Sequence, residues 1–174
     1  MAIVKGFGAG TGKYSIAQRS RFIRDGVREF LRIPDSDPPL ETFGDCGAFS
    51  YVREDEPPFS VEDAFDFYEG CVFDFGLSVD HVIPVYRPDL DSTLPLPGMG
   101  SELEDWRGRQ ELTLQLAREF WSLCKSRRSS FEPVGVAQGW SPSSYAAAVV
   151  ELQDIGYRMI ALGGMVPLKT PEIL

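Results

Sequence analysis

Apolar residues recur at helical spacing from Ser15 to Leu31, at Ile16, Ile23, Val27, Phe30 and Leu31, with basic residues between them. This pattern predicts a surface helix with one buried stripe. Pro34 and the run Asp35–Pro39 end it. A short β-prone run, Leu40 to Phe43, leads into Gly44-Asp45-Cys46-Gly47-Ala48-Phe49. After an acidic loop, Ser60-Val61-Glu62-Asp63 reads as a capping box that opens a helix through Ala64, Phe65, Phe67 and Tyr68 to Gly70. Phe73 to Val85 reads as a second strand, with Leu77 and Val79 alternating with smaller or polar neighbours and Asp80 at its end. Leu103 to Lys125 predicts a long amphipathic helix with Leu112, Leu116, Phe120 and Leu123 on one face and Trp106 near its start. Val134 and Val136 mark a buried strand ending at Gln138. Ser141-Pro142 opens a helix through Tyr145, Val149, Val150 and Leu152, and Tyr157–Leu162 forms a strand before Gly163-Gly164-Met165. Pro167–Leu174 reads as the start of another helix.

Strands alternating with helices imply a parallel sheet with crossover helices. An open doubly wound sheet and a (β/α)8 TIM barrel both satisfy that order. The polar residues favour the barrel. Asp45, Asp80, Gln138 and the Gly163-Gly164 pair each end a different strand, and a barrel gathers all strand ends around one pocket. An open sheet brings fewer ends together, at its switch point. A barrel typically needs ~250 residues. The 174 residues here hold about five βα units, so residues 1–174 are expected to form one incomplete barrel domain. The missing strands would come from a further segment or another chain. Within the domain, residues 87–101 carry Pro88, Pro95, Pro97, Gly98 and Gly100, a long loop suited to a flap over a site.

Composition narrows the function classes. An apolar content of 43% and a charged content of 25% are those of a soluble globular chain. The net charge of −9 gives no diffuse attraction for nucleic acid, so any such contact is local or comes from other segments. No apolar run approaches the ~20 residues of a membrane span. The start, Met1–Lys5, is followed at once by glycines and does not read as a signal peptide. Cys46, Cys71 and Cys124 form no CxxC pair, which indicates reduced thiols and a cytoplasmic location. His81 is the only histidine, which argues against a structural zinc site in this chain. The glycines of residues 6–12 miss the spacing of a phosphate loop, because Phe7 stands where a glycine is needed and Tyr14 follows Lys13. The five arginines from Arg19 to Arg32 are read as a solvated helix face.

Asp45 lies among small residues, Gly44 before it and Cys46, Gly47 and Ala48 after it. Gly47 can take a positive φ and Gly44 permits close approach, so the strand can present the acid to a pocket. The simpler reading of Asp-x-Gly is an Asx-turn. His81 would point away from Asp80 along a continued strand, towards the core.

Taken together, these strand ends resemble the tRNA-guanine transglycosylase superfamily. Its Asp-Ser-Gly-Gly-Phe motif looks like Asp45-Cys46-Gly47-Ala48-Phe49, and its Val-Gln-Gly motif is similar to Ala137-Gln138-Gly139. Its Gly-Gly-Leu motif is similar to Gly163-Gly164-Met165, and an Asp between the first two matches Asp80. Order and spacing agree over about residues 40–174. Cys46, Ala48 and Trp140 depart from the family's usual residues and fit the divergent branch that inserts 7-deazaguanine bases into DNA. The resemblance implies a pentosyltransferase that replaces guanine in DNA, rather than tRNA, with a 7-deazaguanine. It makes Asp45 the general acid/base. Asp80, Gln138 and Gly164 would read the base edge, with Phe49, Gly163 and Met165 also at the base. The attacking Asp and the family's zinc site lie further along the family's chain, beyond the counterpart of Leu174, so no cofactor is implied for this segment.

The chemistry agrees with the residue types. A guanine-like edge offers N–H donors beside an oxygen acceptor, and a carboxylate with an amide or backbone N–H complements it. A pocket carboxylate can also deliver the proton that a departing base requires. Two other readings remain: a non-catalytic half-barrel that serves as a subunit or binding module, and a different TIM-barrel enzyme acting on a small anionic metabolite.

Overall fold

A computed structural model describes residues 14–92, 100–166 and 168. Four α-helices lie among the described residues: α1 (Ile16–Leu31), α2 (Val61–Gly70), α3 (Gly100–Arg127) and α4 (Pro142–Ile155). Four strands alternate with them: β1 (Phe43–Gly44), β2 (Phe75–Leu77), β3 (Glu132–Ala137) and β4 (Met159–Leu162). Single turns of 3-10 helix follow β1 at Ala48–Tyr51 and precede α3 at Pro88–Asp91. The strands lie in the order β1-β2-β3-β4, every pair parallel.

Register places Gly44 beside Gly76, Gly76 beside Pro133, and Gly135 beside Ile160, all on one face of the sheet. That face meets the helices. A Cβ on Gly44 would collide with the Tyr68 ring from α2, and one on Gly76 would stand 2.6 Å from the same ring and 2.7 Å from Phe131. A Cβ on Gly135 would stand 2.9 Å from Tyr157 and 3.0 Å from Leu152 of α4. Tyr68 also packs edge-on against Phe120 of α3. Glycines thus let bulky rings sit directly on the strands. The helices therefore share one face, and neighbouring strands follow chain order. A doubly wound sheet puts helices on both faces and reverses its strand order. The fold is an incomplete TIM-type barrel, an arc of successive βα units.

Local signals account for the helix ends. Ser60 caps α2, with its hydroxyl accepting from Asp63 N at 3.1 Å while the Asp63 carboxylate accepts from Ser60 N at 2.8 Å. Ser141 caps α4 and accepts from Ser144 N, with Pro142 in the first turn. The α3 stripe runs through Leu103, Trp106, Thr113, Ala117, Phe120 and Cys124, so Leu112, Leu116 and Leu123 flank the buried line.

Two expectations change. The stripe of α1 is Phe22, Gly26 and Val27, whereas Ile16 is 82% exposed and Ile23 and Leu31 are also exposed. Gly26 has φ 76° and kinks the helix, which turns its second half and lets Val27 N donate to Cys71 O at 2.7 Å. The strand expected over Phe73–Val85 stops at Leu77. Side chains take over from the ladder there: Val136 N donates to Ser78 Oγ at 2.9 Å, and Ile83 N donates to Gln138 Oε1 at 3.2 Å. Ser78 N still donates to Val134 O at 2.8 Å, and His81 N donates to Thr113 Oγ1 at 3.0 Å as the chain leaves the sheet. Four strands lie among the described residues, within the incomplete barrel expected for residues 1–174. The glycines of residues 6–12 lie outside the described residues, as do residues 93–99 of the 87–101 loop and nearly all of Pro167–Leu174. Among the described residues no helix is long and apolar enough to cross a membrane.

Candidate active site

The strand ends surround a cavity of about 290 Å³ on the sheet face opposite the helices. Asp45, Phe49, Asp80, Gln138, Gly163, Gly164 and Met165 all border it. Leu77, Val82, Val136, Ala161 and Leu162 supply apolar wall. A mostly apolar concavity with a few convergent polar groups is the usual form of a small-molecule site.

Asp80 is buried at 5% exposed, beside Gln138 at 1%. The Cys46 thiol donates to its Oδ1 at 2.7 Å, and Gln138 Nε2 donates to its Oδ2 at 2.5 Å. The Tyr51 hydroxyl donates to the Asp80 main-chain oxygen at 2.8 Å. Burial pushes the Asp80 carboxyl up to about 6, against the two side-chain donors, and the nearby Asp45 charge adds to the rise.

The orientation of Gln138 is set by its partners. Its Oε1 accepts from Ile83 N, which leaves Nε2 to face Asp80. Its main-chain oxygen accepts from Gln110 Nε2 at 2.7 Å. One Nε2 hydrogen goes to Asp80, and the second has no acceptor among the described residues. The Gly163-Gly164 turn closes over this amide. A Cβ on Gly163 would collide with Gln138 Nε2, and Gly164 takes φ +73° with Gln138 Oε1 3.2 Å from where its Cβ would be. Gly163 N donates to Ala137 O and the Tyr145 hydroxyl donates to Gly163 O, each at 2.8 Å.

Asp45 follows β1 and is half-buried. Its Oδ1 accepts from Gly47 N at 3.2 Å, where Gly47 has φ 80°. That bond is the Asx-turn, and the same carboxylate borders the cavity, so one geometry serves both readings of this stretch. Phe49 lies on the following 3-10 turn and is 43% exposed.

Two contributors are not singled out by the sequence pattern, Cys46 and Tyr51. Both are buried behind Asp80. Only the fold brings them to a residue about thirty positions away, so spacing carries no signal for them. His81 faces the core. Arg109 NH1 lies 2.9 Å from His81 Nδ1, and Nε2 lies 2.8 Å from Glu54 O. A guanidinium only donates, so Nδ1 accepts and Nε2 carries the hydrogen. A larger cavity of about 470 Å³ lies by Val85, Arg87 and Trp106, away from these groups. No group of three or more His, Cys, Asp or Glu side chains among the described residues is placed to hold a metal ion.

The chain is 46% identical over 173 residues to a protein of Salmonella montevideo described as a DNA-guanine transglycosylase. The match covers 99% of this chain and 39% of that protein, so the chain spans well under half the length of this curated relative. It bears out the resemblance to the transglycosylase superfamily across the whole chain. No protein-family model matches the chain.

Proposed function

We propose that this chain carries the base-recognition part of a guanine-exchange transglycosylase, acting on DNA in preference to tRNA and taking a 7-deazaguanine as the incoming base. The observation that carries the reading is the buried Asp80–Gln138 pair in an apolar cavity at the strand ends. Ionised Asp80 accepts from two adjacent N–H groups of a guanine edge. The unused Gln138 N–H and the Gly164 main-chain N–H donate to the base's carbonyl oxygen. Phe49 and Met165 provide apolar surface for the ring faces. The preference for DNA is supported by the description of the relative that matches over nearly the whole chain.

In the exchange, an enzyme carboxylate attacks the anomeric carbon as the bond to guanine breaks. Asp45 gives its proton to the departing base. As the carboxylate form, Asp45 then takes a proton from the incoming deazaguanine, whose ring nitrogen displaces the enzyme. The attacking carboxylate comes from polypeptide outside the described residues. Such polypeptide, in the same or another chain, also pairs with the outer edges of β1 and β4, each paired on one side only among the described residues.

A second reading is favoured by one observation: among the described residues, Asp45 and Asp80 are the only carboxylates lining the cavity. A chain so equipped can act as a binding module within a larger assembly. Calorimetric titration of the chain with a 7-deazaguanine, guanine and adenine tests recognition under both readings. Binding of the first two in preference to adenine is expected. Equal binding of all three, or none, overturns the pocket assignment.

A further inference from the structure

Cys46 does not line the cavity; it lies wholly buried behind Asp80. Its sulfur is nevertheless 2.7 Å from Asp80 Oδ1, and the Tyr51 hydroxyl, 2.8 Å from the Asp80 main-chain oxygen, lies 3.1 Å from that sulfur. Burial together with the Asp80 and Asp45 charges holds the thiol's titration well above its ordinary range. The sulfur therefore keeps its hydrogen and stays a donor. Opposite it, Gln138 occupies Oδ2. The carboxylate is gripped on both oxygens, and only its remaining lone pairs can meet a ligand.

We propose that Cys46 is a positioning residue for base recognition: its thiol fixes the Asp80 carboxylate in register with Gln138 and favours the charged form that a guanine edge requires. This rests on the base-recognition reading of the cavity. A protonated Asp80 would place an O–H donor against an N–H donor of the base, so recognition depends on the charge. The groups around Asp80 leave Cys46 as the adjustable partner. Asp45 at the end of β1 adds negative charge, and Gln138 after β3 is neutral. Tyr51 serves the main chain, and Tyr68 of α2 is a buried phenol held in its neutral form by burial. His81 and Arg109 of α3 are engaged with each other and with the carbonyls of Glu54 and Val52.

A hydroxyl donates more strongly than a thiol, and a methyl does not donate at all. Cys46→Ser should lower the pH at which Asp80 titrates, and Cys46→Ala should raise it by about one unit, the loss of one hydrogen bond to a carboxylate. The experiment uses the full chain labelled with carboxyl-13C aspartate, with the Asp80 resonance identified by its disappearance in Asp80→Asn. Opposite displacements of the Asp80 midpoint in the two variants are expected, and the acid limb of guanine affinity should move with them. A role in packing alone would lower the melting temperature of the variants without moving the resonance. An unmoved Asp80 midpoint in folded Cys46→Ser overturns the inference, whether or not Cys46→Ala folds. If the midpoints move but guanine binds at no pH, the thiol–carboxylate coupling stands and the base-recognition reading falls.

Discussion

Gly163 leaves its side-chain position to the amide of Gln138. A Cβ there would collide with Gln138 Nε2, so β4 can end against the end of β3 only with glycine at this point. Under the proposed base recognition this matters, because the displaced amide is the one bonded to Asp80. Gly163→Ala should push Gln138 out of register and weaken guanine binding by about tenfold or more, given that a disrupted buried hydrogen bond costs ~1–3 kcal/mol. Calorimetry at fixed pH checks this, and undiminished affinity in a folded variant would show that the amide has room the structure denies it.

Asp80 and Gln138 should differ in weight. Asp80→Ala removes a charged acceptor and leaves two donors unpaired, so its loss of deazaguanine affinity should exceed that of Gln138→Ala. The same calorimetric titration on both variants decides it. Equal affinity in wild type and both variants would remove the pair from recognition.

The raised Asp80 titration also makes a stability prediction. Its folded-state value is about 6, above the ordinary 3.8. The folded state thus binds the proton more tightly than the unfolded chain. Stability from that proton is fully present below pH ~4 and is lost as pH rises through ~6. At pH 8 the buried charge costs up to about 3 kcal/mol. Asp80→Asn should therefore be more stable than wild type at pH 8, and the difference should shrink towards pH 4. Chemical denaturation at both pH values measures it. A variant less stable at pH 8 would mean that the two donors outweigh burial.

Much of this arrangement is legible in the sequence where the determinants are local. The Ser60/Asp63 and Ser141 caps, the Asx-turn at Asp45 and the positive φ of Gly47 all follow from residues within a few positions of one another. Strand order is legible too, because alternating βα units leave few topologies. The end of β2 is not. Val79, Val82, Ile83 and Val85 continue an apolar run, and only tertiary partners, Ser78 Oγ and Gln138 Oε1, show where main-chain pairing stops. The kink at Gly26 likewise turns a regular apolar spacing into a wrong buried face. Cys46 is the clearest case: a small residue in a turn by sequence, a donor to Asp80 by fold.

The glycine pair beneath Tyr68 invites a contrast of two substitutions. Gly76→Ala would press a Cβ to within 2.6 Å of the ring, and overpacking of this kind typically costs ~1–3 kcal/mol. Tyr68→Phe keeps the ring and removes a hydroxyl that is buried without a hydrogen-bond partner among the described residues. It should be neutral or stabilising by about 1 kcal/mol. Thermal melts of the two variants should move in opposite directions or leave only Gly76→Ala displaced. A strongly destabilised Tyr68→Phe would reveal a partner for the hydroxyl.

Asp45→Asn separates the turn from the chemistry. An asparagine oxygen can still accept from Gly47 N, so the turn survives while the transferable proton is lost. In an enzyme assembled with the polypeptide that supplies the attacking carboxylate, turnover should fall by about 10²–10⁴ with the melting temperature little changed. Near-normal turnover would return Asp45 to the role of a turn residue.

Residues 1–174 by themselves should bind the base without exchanging it. Exchange needs a carboxylate free to attack the anomeric carbon. Among the described residues the cavity is lined by two carboxylates; Asp80 is gripped by Cys46 and Gln138, and the proposed exchange uses Asp45 for the proton. The sheet has the same shortfall. The outer edge of β4 has no strand beside it among the described residues, and Met159, Leu162 and Val166 are exposed there. An apolar edge of this kind invites association. The isolated chain should therefore self-associate in sedimentation and leave labelled deazaguanine out of both DNA and tRNA, yet retain calorimetric binding that Asp80→Ala abolishes. A monodisperse monomer that incorporates the label would place the attacking group within these residues and dismantle the division of labour proposed for Asp45 and Asp80.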